Sequence, residues 1–129
     1  MIFAKRVFFW SGVYGILLLL PMYFLEQKLG IDFPPATNHP EQYYAFIGVA
    51  LAFQFAFLLI ARDVRRYRAI MLPAIGEKFL SSGAAIWLFA LSRISAITLA
   101  PFLVDLILGC LFVAGYLRSS ESPASRIAE

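Results

Sequence analysis

The chain has 129 residues, 61% hydrophobic and 15% charged, with a net charge of +3 and a mean hydropathy of +0.78. A soluble domain is nearer half apolar and about a quarter charged, so this composition excludes an ordinary soluble domain and indicates a membrane protein. A single cysteine, Cys110, excludes an internal disulfide and any paired-thiol redox or zinc motif, and reads as a small apolar packing residue.

The first apolar run, VFFWSGVYGILLLLPMYFL (7–25), follows Lys5 and Arg6 and contains no charge. It is too long for a signal-peptide core and has no small-residue cleavage site after it, which predicts a retained signal-anchor helix. Ser11 and Gly15 place small residues on one of its faces. The connection EQKLGIDFPPATNHPEQ that follows is mildly acidic and stiffened by Pro34, Pro35 and Pro40. Asn38 reads as the N-cap of the next helix, with Glu41 as its capping-box partner. His39 is the sole histidine and reads as a solvated loop residue, so no metal site is expected. The second run, YYAFIGVALAFQFAFLLIA (43–61), opens on Tyr43 and Tyr44, fit for an interfacial aromatic belt. Gly48, Ala52 and Ala56 recur along one face and predict a helix–helix contact, within the bundle or with a partner. Gln54 reads equally as interhelical glue or as a ligand contact.

Arg62, Arg65, Arg66 and Arg68 then fall within seven residues. They are explained by the retention of positive charge on the cytoplasmic side, and they are also candidates for anionic lipid headgroups. The third run (70–92) carries Glu77 and Lys78. Glu77 shares a face with Ser81, while Lys78 lies on the neighbouring face, from which it can snorkel toward the cytoplasm; the two also read as an interfacial pair at a helix start. A short connection then predicts a helical hairpin with the fourth run (98–117), in which Pro101 is placed in the first helical turn. Asp105 sits near the middle of that run. A bare carboxylate there costs roughly 2.5–3.5 kcal/mol, so Asp105 is expected to face the third helix near Glu77 and Ser81, with Gly109 leaving room for a neighbouring backbone. It would be protonated in a dry setting, or ionised beside Lys78 or a bound cation. Residues 119–129 read as a disordered tail following a transmembrane domain over 1–118.

Each run is long enough to cross a hydrocarbon core of about 30 Å, and lipid demands helices, so an all-α, compact antiparallel bundle of four transmembrane helices is predicted. Nine of the eleven Lys and Arg residues fall on the side of the two termini and two, Lys28 and Arg93, on the other, which predicts cytoplasmic termini. No groove-reading domain for nucleic acid, phosphate cradle, hydrolase elbow or internal haem ligand occurs, so no cofactor is expected and no catalytic residue is assigned.

The arrangement RDVRRYRAIMLPAIGEK, after a connection containing DFPPATNHP, resembles small bacterial four-span inner-membrane proteins that are broadly DoxX-like. The resemblance implies a compact four-helix bundle in a bacterial inner membrane, with some relatives associated with redox membrane complexes; it implies no catalytic residue. Two broad functional readings remain. One is an accessory or interaction subunit, partnered by other membrane subunits or by itself. The other is a carrier, permease or membrane-embedded enzyme for a small lipophilic molecule, with Glu77, Asp105, Gln54 and Ser81 as the candidate ligand or proton site. A polar pocket inside the bundle favours the second reading, and outward-facing small-residue seams favour the first.

Overall fold

The computed structural model describes residues 2–32 and 38–120, and every regular element among them is helical. Four segments are long and apolar enough to span a bilayer: 2–24, 40–62, 68–90 and 96–118. The first is α1 (Ile2–Leu19) continued by a tighter 3₁₀ segment, Leu20–Phe24. Pro21 lacks an N–H and its ring crowds the preceding turn, which explains why the α-helix stops there. α1 also starts earlier than the apolar run, because hydropathy marks the part that suits lipid and nothing before Val7 breaks a helix.

A short helix not anticipated in the connection, α2 (Glu26–Asp32), comes next, with Glu26 in its first turn where a carboxylate suits the helix dipole. Pro34 and Pro35 lie outside the described residues. α3 (Pro40–Arg62) begins with proline at its first position, where a missing N–H is harmless. Its N-cap is His39 rather than Asn38, and no side chain caps it. Glu41 turns instead to the His39 ring, 3.2 Å from Nδ1. α4 (Met71–Ala90) follows one 3₁₀ turn, and α5 (Ala96–Arg118) is capped by Ser95, whose hydroxyl accepts from the Thr98 N–H at 3.2 Å. Because α5 starts at Ala96, Pro101 lies inside the helix and not in its first turn.

The α4–α5 connection closes with the Ser92 N–H bonded to Phe89 O and the Arg93 N–H to Leu88 O, each at 2.9 Å. This is a Schellman ending, and Ser92 occupies its left-handed position at φ 60°.

α1 packs along α3 and α5, α4 packs along α5, and α3 touches α4 only sparsely. At the α1–α3 seam, a methyl on Gly12 would lie 2.8–2.9 Å from Leu58 and the Gln54 carbonyl, and one on Gly15 would strike the Gln54 amide. Small residues here let two backbones close up. In the row of Gly48, Ala52 and Ala56, no comparably close approach is seen at Gly48. Ala52 is exposed, and the nearest group to a methyl on Gly48 would be the Tyr23 hydroxyl at 3.6 Å. On α5, Gly109 lies against Lys78 and the Phe79 ring. Cys110, expected to be packed, is exposed on the outer face of α5.

The interior of the half of the bundle nearest the termini is densely packed, although an open apolar groove of about 630 Å³ runs outside it between α1 and α5. Phe8 stacks on Phe112 at 4.2 Å, and Phe57 meets Phe112 edge-on at 4.9 Å. Ala4, Ile60, Ala61, Val64, Met71 and Ala74 complete this core. Arg68 locks the same end: its Nη2 donates to Tyr116 O at 2.8 Å and its Nε to Ser119 Oγ at 3.2 Å, with the guanidinium 3.8 Å from the Tyr116 ring centre. The last carbonyls of a helix have no partner within it, and Arg68 supplies one. Ser119 is buried in this clamp, so it belongs to the bundle and not to a disordered tail; residues 121–129 of that expected tail lie outside the described residues.

Candidate functional site

The other half of the bundle is hollow. A cavity of about 450 Å³ lies between all four long helices, within the range of small-molecule sites, and α2 contributes Leu29 and Gly30 to its lining. Leu18, Phe46, Met22 and Phe102 give it apolar walls. Its rim residues Leu18, Phe46 and Ile97 are exposed, whereas Gln54 and Lys78 at its base are buried.

The base is polar. Lys78, only 4% exposed, points inward with its Nζ 3.0 Å from Asp105 Oδ1 and 3.6 Å from Glu77 Oε2. The ammonium also lies 5.2 Å from the Phe57 ring centre and 6.0 Å from that of Phe112, so the aromatic core forms a floor beneath it. The snorkelling reading of Lys78 is therefore corrected. Reaching the surface would hydrate the amine but leave Asp105 without a countercharge in a low-dielectric interior, and the ion pair settles both groups at once. A signal for this was present in the sequence, since Lys78 and Asp105 lie at comparable distances from the short α4–α5 connection.

Gln54, Glu77, Ser81 and Asp105 all line this one cavity. Ser81 donates to the Glu77 carbonyl at 2.8 Å, and Ser82 to the Lys78 carbonyl at 2.7 Å, so both hydroxyl protons are held by the α4 backbone. Gln54 donates through Nε2 to Ala50 O at 2.9 Å. Its Oε1 is buried with no hydrogen-bond partner among the described residues, as is Glu77 Oε2. Gln54 Oε1 has no partner at all and Glu77 Oε2 only a long ion pair to Lys78, an unusual state for atoms beside one cavity, because a buried polar atom without a partner costs about 1–3 kcal/mol.

The far side of the cavity is tied down by the tyrosines of α3. Tyr43 donates to Met22 O at 2.6 Å and Tyr44 to Glu26 Oε2 at 2.8 Å, which holds the 3₁₀ segment and α2 over the bundle end. Of the four arginines, Arg62, Arg65 and Arg66 are exposed at the end that carries the termini. The Arg68 guanidinium is turned into the protein and is removed from the headgroup candidates. No family model, curated protein or solved structure matches the chain.

Proposed function

We propose that this integral membrane protein binds or carries a small lipophilic molecule, with the molecule's polar group against Glu77, Lys78 and Asp105 and its apolar part against the walls. The observation that carries this reading is the convergence of Gln54, Glu77, Lys78, Ser81 and Asp105, from three different helices, on one cavity of about 450 Å³. Purification in mild detergent, solvent extraction and mass spectrometry test it. The wild-type chain is expected to carry a lipophilic molecule that the cavity-filling variant Ser81→Trp lacks. Identical extracts from the two would refute the reading.

A second reading, an accessory subunit of a membrane complex, is favoured by the Gly48, Ala52 and Ala56 row, since Ala52 presents a small residue outward. A protein retained by the wild type and lost on Ala52→Leu would support it. The proposal includes a bacterial inner-membrane location, kinship with DoxX-like proteins on the quoted motifs alone, and cytoplasmic termini. The charge asymmetry supports this orientation and survives the burial of Lys78, which leaves eight basic residues against two. Labelling of Cys introduced at Lys28 from the outside, with Cys at Ser120 protected, is the expected pattern; the reverse overturns the orientation. Arg62, Arg65 and Arg66 are proposed to face anionic headgroups at that end.

A further inference from the structure

From the donors and acceptors at the base of the cavity, we infer that its ligand is an amphiphilic amine: a primary or secondary ammonium group on an apolar tail. The inference rests on the cavity being a binding site, and it adds the chemical class of what binds. Gln54 Oε1 is a buried acceptor with no hydrogen-bond donor among the described residues, and Glu77 Oε2 has only the Lys78 ammonium at 3.6 Å, beyond hydrogen-bond distance. Ser81 has its proton on the Glu77 carbonyl, so its free lone pairs also accept. The Gln54 amide nitrogen is already engaged with Ala50 O. Among the described residues Lys78 is the one cation lining the cavity, and it is engaged by Asp105 and by Glu77. One N–H of the Gln54 amide remains, but the buried groups left without a hydrogen bond are acceptors, and a ligand that brings donors satisfies them.

Charge narrows the class further. The cluster sets two carboxyl groups around a single ammonium. A carboxylate or sulfonate ligand would meet two carboxylates and an ammonium already paired. A neutral alcohol brings one donor for two acceptors. An alkylammonium brings two or three donors and one positive charge, which serves both acceptors and sets two cations against the two carboxyl groups. Its tail then lies along Leu18, Met22, Phe46 and Phe102, toward the exposed rim.

The test uses the full chain in nanodiscs of zwitterionic phosphatidylcholine, with radiolabelled decylammonium, decanol and decanoate, each measured against protein-free discs. Saturable, protein-dependent binding is expected for decylammonium alone. Glu77→Gln, which keeps the shape and removes the charge, is expected to weaken it about 10- to 100-fold, and Gln54→Met to weaken it less. Glu41→Gln, which changes an exposed carboxylate on α3, is expected to leave it unchanged. Helicity by circular dichroism and elution volume establish that each variant is folded. Decanol or decanoate binding as tightly as the amine, and blocked by Ser81→Trp, would overturn the ammonium class while the cavity stands as a site. Amine binding unaffected by both Glu77→Gln and Gln54→Met would overturn the placement. No saturable binding of any of the three compounds would overturn the binding-site reading, and the inference with it.

Discussion

Replacing Lys78 with methionine keeps the length and apolar stem of the side chain and deletes the one positive charge at the base of the cavity. Glu77 and Asp105 are then left without their shared ammonium, which lay 3.6 and 3.0 Å away. Breaking a fully buried ion pair from one side costs about 3–5 kcal/mol, because the surviving charge is neither hydrated nor paired. Here the carboxylate side chains retain 19% and 25% exposure, which relieves part of that cost, so about 2–4 kcal/mol is expected. Asp105→Asn is milder, about 1–2 kcal/mol, since an amide oxygen still accepts from Lys78 and Glu77 stays beside the ammonium. The triple variant Lys78→Met, Glu77→Met, Asp105→Leu removes all three charges and is expected to recover most of the stability lost by Lys78→Met alone. Equilibrium unfolding by SDS in mixed micelles, followed by circular dichroism, gives the order. Wild-type stability for Lys78→Met, or a triple variant less stable than Lys78→Met, would refute the view that Lys78 is held inside by its carboxylates.

Gly15→Ala drives a methyl into the Gln54 amide and is expected to cost about 1–3 kcal/mol in the same titration, whereas Ala52→Leu, on an exposed face, is expected to stay within about 0.5 kcal/mol for the isolated chain. Ser92→Gly relieves a side chain at φ 60° in the α4–α5 connection and is expected to stabilise by about 1 kcal/mol, read as a raised unfolding midpoint. Arg68→Gln removes a charged donor from Tyr116 O and Ser119 Oγ, and is expected to cost about 1.5–3 kcal/mol, with faster amide exchange confined to the last turn of α5.

The four spans and their helical nature were legible in the sequence because both depend on local composition. A run of apolar residues long enough for the bilayer core must satisfy its own backbone hydrogen bonds, and a helix does so within the segment. The inward placement of Asp105 was equally readable, since lipid penalises a carboxylate whatever its partners. Its partner was legible only as one of two options, Lys78 or a bound cation. Lys78 has two low-cost outcomes, an extended stem reaching the surface or an ion pair within the bundle, and the choice depends on a residue 27 positions away in another helix. Arg68 likewise reads as one of four equivalent surface arginines until α5 ends beside it and presents unpartnered carbonyls. The tight seam lies at Gly12 and Gly15 and not at Ala52 because helix rotation is set by the side chains that interlock across the interface, and small residues on two faces look alike in a linear pattern. The cavity is the furthest from the sequence. It exists because Phe8, Phe57 and Phe112 fill one half of the bundle while Gly15, Ala50 and Ser81 leave space in the other, a difference in volume that arises only once all four helices are aligned.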